Sequence, residues 1–274
     1  MDQTAFFEWL LAMTEEEGHG RPCDRTDMIA LFTDFGMVGP YVGQMKAVLY
    51  RDAPGVPVVD LFADAPAAMP KPSAYLLAAY ALWFPPGSVL LAVVDPGVGG
   101  GRAAVVVDAD GRLYVGPDNG LFELVVRRAQ TARSWRISWR PAGLSASFHA
   151  RDLFAPVAAQ LARGASPSDC LGEYEIGRRA DWPDELPEIV YIDHYGNAMT
   201  GMRAAALPEG ARLGAGGRVL SQARTFSDVP AGQPFWYENG NGLAEVAVNG
   251  GRADAALGLA LGSPVAVVPS LGAS

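Results

Sequence analysis

The sequence predicts an α/β fold in two parts: an N-terminal α/β domain built on a mainly parallel sheet, then a smaller C-terminal all-β domain. Three observations predict it. Apolar runs of strand length alternate with helix-spaced segments from Met28 to about Arg163. Beyond Pro187 the helical spacing fades, and short apolar runs are separated by Gly, Asn and Pro. Half of the 274 residues are apolar, enough for a sizeable core in one large domain or two smaller ones.

In chain order, the run MIALF from Met28 reads as a strand ending in Thr33-Asp34-Phe35-Gly36. Val42, Met45, Val48 and Leu49 then repeat at helical spacing. Val56 to Phe62 is a second strand, and the apolar stretch from Ser73 is a helix stopped by Pro85-Pro86-Gly87. Leu90 to Val94 is continuously apolar, as expected of a strand covered on both faces, and stops at Asp95-Pro96-Gly97-Val98-Gly99. Further strands are expected at Ala104 to Asp108 and Leu113 to Val115, and an amphipathic helix at Leu153 to Leu161. In the C-terminal part, IVYI, ARLGA, RVL, LAEVAV and PVAVV are the candidate strands. The implied organisation is an extension over 1–27, an α/β domain over 28–163, a linker over 164–187 and a β domain over 188–274. No internal repeat is present, and 32 Gly with 21 Pro point to many tight turns.

Lys plus Arg number 21 against 30 Asp plus Glu, a formal net charge of −9, with no long basic run. Nucleic acid and anionic membrane are therefore poor partners, and a small molecule is the better expectation. Two cysteines, Cys23 and Cys170, are too few for a disulfide framework and wrongly spaced for a zinc site, which fits a reducing cytoplasm. The three histidines form no metal-binding pattern, so no metal is expected. The apolar stretch Phe6 to Met13 is followed by Glu15-Glu16-Glu17 and does not read as a signal peptide. No stretch reads as a membrane span.

Ligands of open α/β sheets sit beyond the carboxyl ends of the strands, which places Asp34 and Asp95 at a candidate site. Asp34 equally suits a turn or helix start, or could hold a ribose diol. Asp95 precedes a glycine-rich stretch whose backbone must come close to something. His149, in Ser147-Phe148-His149-Ala150-Arg151-Asp152, precedes a helix and could emerge at the same sheet edge. GxGxxG, P-loop and GxSxG patterns are missing, which disfavours phosphate cradles and acyl-enzyme chemistry. Tyr191 to Asn197 and Glu238 to Gly242 read as turns, and Trp135, Trp139, Trp182 and Trp236 as packing residues.

Seven segments, in order, carry a family resemblance: TDFG at Thr33, PYVGQMK at Pro40, VVDPGVG at Val93, GPDNGLF at Gly116, SFHARDLFAPVA at Ser147, YIDHYGN at Tyr191 and AEVAVNGG at Ala244. Together they resemble the S-adenosyl-L-methionine (SAM) hydroxide adenosyltransferases, adenosine-forming SAM hydrolases related to fluorinase and chlorinase. The resemblance implies a barrel-like second domain and a homotrimer whose active sites lie between one subunit's first domain and a neighbour's second. It implies SAM as substrate and no cofactor, with water or hydroxide attacking ribose C5′ to give adenosine and L-methionine. The hydrolase set Asp-Arg-His matches Asp95, Arg102 and His149, which the halogenase branch lacks. Asp34 would bind the ribose hydroxyls, while Asp193, Asn197, Phe226, Glu245, Val248 and Asn249 fall in motifs lining the adenosyl and methionine sites. The chain departs from the family pattern at Asp60 to Asp64, which lacks a His common there, and at Gly99-Gly100-Gly101 before Arg102. Residues 1–27 have no counterpart. Two alternatives stay open: a halide-dependent adenosyltransferase, and a non-catalytic SAM or adenosine binder.

Overall fold

The computed structural model describes residues 28–268, and the chain divides into two units, one ending at Arg179 and the other beginning at Ala180. A seven-stranded sheet organises the first, in the order β2-β1-β3-β5-β4-β6-β7. Strand β1 (Ile29–Thr33) lies between β2 (Val58–Phe62) and β3 (Val89–Val93), parallel to both, and β3 pairs in parallel with β5 (Arg112–Pro117). Every residue of β1 and β3 is buried, which is why both segments read as unbroken apolar runs.

The remaining strands alternate in direction. Strand β4 (Ala104–Ala109) is antiparallel to β5 and is followed by β6 (Ala132–Arg136) and the two-residue β7 (Gly172–Glu173). The cause is local: Asp110-Gly111 joins β4 to β5 with φ of 50° and 78°, the geometry of a two-residue hairpin loop. The Asp110 carboxylate also accepts hydrogen bonds from the Gln130 and Thr131 N–H groups, tying the start of β6 to that loop. Gly116 lets β5 approach β3 closely, since a Cβ there would collide with the Ala92 carbonyl oxygen.

Helices α1 (Tyr41–Asp52) and α4 (Ala155–Ala162) cover one sheet face, where Met45, Leu49, Val157 and Leu161 join Ile29, Leu31, Val89 and Leu91 in one core. Helix α2 (Pro70–Tyr80) is buried along most of its length, packs with α3 (Glu123–Arg128), and continues into a 3₁₀ turn at Ala81–Trp83 before Pro85. The segment 164–187, expected as a linker, carries a short helix α5 (Pro167–Cys170) and the edge strand β7, and its last residues open the next strand.

The second unit is built on two antiparallel sheets, β12-β13-β9-β8 and β11-β10-β14. These comprise β8 (Leu186–Ile192), β9 (Ala198–Arg203), β10 (Arg212–Ala215), β11 (Arg218–Leu220), β12 (Pro234–Glu238), β13 (Leu243–Val248) and β14 (Ala266–Val268), with a short helix α6 (Ala253–Leu257). Isolated bridges join Glu188 to Pro264 and Gln222 to Trp236, so both pairs of sheet edges meet and the unit closes like a small barrel. Its core draws Leu213, Ala215 and Leu220 from one sheet and Ile189, Trp236 and Val246 from the other. Trp236 is 1% exposed and donates its indole N–H to the Ala211 carbonyl at 3.1 Å, a packing role as read from the sequence.

Candidate active site

Parallel neighbours β1 and β3 end side by side, so the loops after them emerge together, bringing Asp34 and Asp95 to one sheet edge. Both aspartates and His149 line a cavity of about 600 Å³. His149 arrives from the far side of the sequence, immediately before a single π-helical turn at Ala150–Phe154 that leads into α4. The loop carrying it is fixed locally: the Asp152 carboxylate accepts from the Ser145 N–H at 3.0 Å and pairs with Arg151 at 2.6 Å.

One of the glycines after Asp95 does approach another segment closely, and that segment is protein. Gly99 has φ 79°, and a Cβ there would lie 2.5 Å from the Ala146 carbonyl oxygen. The loop from Asp95 thus packs directly on the loop that leads to His149.

Arg102 joins the two. Its Nε donates to Asp95 Oδ2 at 2.9 Å, its Nη2 makes a second bond to the same oxygen, and Nη2 also lies 3.0 Å from His149 Nδ1. The side chains of Arg102 and Asp95 are 11% and 4% exposed, so this is a buried ion pair. The guanidinium packs on the Phe154 ring, 5.2 Å from its centroid. Arg102 does not line the cavity itself; it touches Asp95 and His149, which do. A guanidinium only donates, so Nδ1 is the acceptor and the ring proton of neutral His149 sits on Nε2. Asp95 Oδ1 is buried without a hydrogen-bond partner.

The electrostatics follow. Burial and then the Arg102 charge push the His149 pKa below its ordinary value, with Asp95 opposing and Arg140 reinforcing. Burial raises the Asp34 carboxyl, although the Ala68 N–H, donating to its Oδ2 at 2.8 Å, pulls the other way. Three aromatic rings that sequence reading passed over complete the wall: Phe35, Tyr41 and Phe148 lie with centroids 5.4 to 5.9 Å apart and all line the cavity. Their signal was present, since Phe35 and Phe148 stand next to Asp34 and His149.

In the second unit, Asp193, Asn197, Phe226 and Val248 line a separate hollow of about 720 Å³. Asp193 accepts from the Asn197 backbone N–H at 2.8 Å and from its side-chain amide at 3.0 Å, which fixes the turn between β8 and β9. Phe226 packs edge-on against Phe235 and Tyr237. Glu245 and Asn249 are not on the wall. Glu245 is 2% exposed, accepting from Tyr237 Oη and Asn239 Nδ2, each at 2.7 Å, and its pKa is raised by burial. Asn249 Nδ2 donates to the Val229 carbonyl at 2.6 Å. Tyr195, read from the sequence only as part of a turn, also lines the hollow, as do Tyr237 and Arg252, which were not singled out. Among the described residues no group of three or more His, Cys, Asp or Glu could hold a metal ion, and no helix is long and apolar enough to cross a membrane.

Residues 29–171 match the SAM hydroxide adenosyltransferase N-terminal domain, and residues 187–266 match the C-terminal domain of the same family. The chain belongs to the SAM hydroxide adenosyltransferases. Among relatives of this adenosyltransferase, a Thermus thermophilus protein named (R)-S-adenosyl-L-methionine hydrolase is 42% identical over 255 residues, covering 86% of this chain and 98% of the relative. A Salinispora arenicola protein of the same name is 37% identical over 244 residues, covering 83% and 92%. A solved structure, an uncharacterised conserved protein from Thermotoga maritima, superposes with a TM-score of 0.80 at 28% identity, covering 88% of this chain and all of that one.

Proposed function

We propose that this adenosyltransferase hydrolyses SAM to adenosine and L-methionine, with water or hydroxide attacking ribose C5′. The reading rests on the relatives named (R)-S-adenosyl-L-methionine hydrolase and on one structural observation: a buried Arg102 bound to both Asp95 and His149 at the wall of a cavity that also holds Asp34. The sulfonium is already a good leaving group. As the water oxygen bonds to C5′, the C5′–S bond breaks and its electron pair stays on sulfur, giving neutral methionine. No metal or organic cofactor is required, and most of the rate must come from positioning one water.

In this scheme Arg102 supplies a permanent positive charge that favours the hydroxide form. His149 orients the water through Nε2–H, and Asp95 Oδ1, the acceptor without a partner, takes the proton released on attack. Asp34 holds the ribose hydroxyls. Asp193, Asn197, Phe226 and Val248 contribute the adenosyl and methionine contacts, with Glu245 and Asn249 supporting that wall from behind. We further propose a cytoplasmic homotrimer in which the hollow of one subunit completes the cavity of a neighbour. Met37, Val38 and Tyr195, at 78%, 91% and 73% exposure, are apolar surface that such a contact would cover.

Purified protein incubated with SAM, in halide-free buffer and again with chloride, tests the reaction. Adenosine and methionine in both buffers are expected. A 5′-chloro-nucleoside formed only with chloride would move the chain to the halide-dependent alternative, and unchanged SAM would leave a binder. A fully active monomer in light scattering would refute the trimer.

A further inference from the structure

The segment Gly116 to Phe122, at the end of β5 and in the turn after it, has no part in the reaction scheme above. In the sheet, β5 lies between β3 and β4, parallel to the first and antiparallel to the second. The residues that follow β5 therefore emerge between the end of β3 and the start of β4, which are the two ends of the loop holding Asp95 and Arg102. Asp118 and Asn119 bond to both ends. The Asn119 side-chain amide donates from Nδ2 to the Val94 carbonyl at 2.8 Å, one residue before Asp95. The Asp118 N–H donates to the Ala103 carbonyl at 3.0 Å, one residue after Arg102. We propose that Asn119 is a positioning residue for the reaction: it clamps the start of this loop and so sets where Asp95 meets Arg102.

Further contacts fix the turn itself. Asn119 Oδ1 accepts from the Leu121 N–H at 3.2 Å, so the amide uses a donor on one side and an acceptor on the other, and turning it over would set like groups against each other. Gly120 supplies the φ of 99° that this turn needs. The Asp118 carboxylate anchors the turn, accepting from Tyr174 Oη at 2.9 Å and from the Gly177 N–H at 3.2 Å. Val94 is fully buried, so losing the Asn119 donor leaves a buried carbonyl short of a partner. Asn119 does not line the cavity, whereas Asp95, Pro96 and Val98 of the clamped loop do. Both hydrogen bonds from Arg102 to Asp95 end on the same oxygen, Oδ2, so a shift of Asp95 relative to Arg102 disturbs the two together.

The effect on turnover rests on the hydrolase reading above, whereas the effect on Arg102 can be measured without it. Asn119→Asp keeps the acceptor for the Leu121 N–H and loses the donor to Val94. Asn119→Ala loses both without placing a carboxylate beside a carbonyl, and serves if the Asp variant does not fold. Tyr174→Phe is the control, since it removes a hydrogen bond from the same turn but none from the loop. Steady-state kinetics with SAM would be read alongside hydrogen exchange of the Arg102 Nε–H, followed by ¹⁵N NMR with Arg102→Lys used for assignment. In either Asn119 variant kcat should fall at least about 10-fold while KM changes by less than about threefold, because positioning and not substrate contact is lost. Exchange of the Arg102 Nε–H should quicken at least about 10-fold in the same variants, and Tyr174→Phe should leave both readouts near wild type. An Arg102 signal as protected as in wild type, in a folded Asn119 variant, would overturn the proposal, as would equal losses in Tyr174→Phe. If the wild type does not turn over SAM, the hydrolase reading fails and the exchange measurement still decides the role of Asn119.

Discussion

Replacing Arg102 with Met separates the two tasks this side chain performs. Arg102 and Asp95 are 11% and 4% exposed, and Asp95 receives both its hydrogen bonds from this guanidinium. Arg102→Met therefore leaves a buried carboxylate with no partner on either oxygen, a change that costs about 3 to 5 kcal/mol. Removing the second charge as well, in Arg102→Met/Asp95→Asn, replaces a stranded anion with a neutral amide and should recover about half of that loss. Activity should behave differently. Turnover should fall at least about 100-fold in the single variant and stay low in the double, because positive charge at the water site is lost in both. Urea unfolding measures the stabilities, and chromatographic quantitation of adenosine measures turnover. Near-wild-type turnover in Arg102→Met would refute the catalytic argument. A double variant no more stable than the single would refute the buried-charge argument.

Gly99→Ala should cost about 1 to 3 kcal/mol, because φ 79° and the Ala146 carbonyl at 2.5 Å both oppose a Cβ, and it should lower kcat by displacing the Asp95 loop; wild-type kcat would contradict this. The His149 pKa is lowered from its ordinary 6.5, so its stabilising contribution is complete above about pH 6.5 and is lost as pH falls below it; denaturation across pH should show a slope that His149→Gln removes. Glu123 has the same sign at a lower pH. Burial alone would raise it, but hydrogen bonds from Arg178, the Arg179 N–H and Arg127 outweigh that and bring it down to about 2 from 4.5. Glu123→Gln should therefore cost about 2 kcal/mol near neutral pH, with the deficit closing as pH falls from 4.5 toward 2.

What could be read from the sequence was what burial writes into it. Strands β1 and β3 are covered on both faces and show as unbroken apolar runs. Strand β6, Ala-Arg-Ser-Trp-Arg, buries only Trp135 and gives no such run. Strand β9 mixes Ala, Thr and Gly because Gly201 must admit Leu186 and Val190 at close range. Strand β12 begins with Pro and helix α6 has five residues, too little for any periodicity. The reversal at β4 was written in Asp110-Gly111 and depends on turn chemistry, not on apolar pattern. At the site, family motifs brought Asp95, Arg102 and His149 forward, and folding places them in contact. The motifs could not distinguish wall from support, so Glu245 and Asn249 were grouped with residues that line the hollow.

The central claim is that water oxygen is delivered to C5′ of SAM, and isotope incorporation tests it most directly. Turnover of SAM in H₂¹⁸O should give adenosine with one ¹⁸O at the 5′ hydroxyl and methionine with none. Unlabelled adenosine, or label in the methionine instead, would contradict the account.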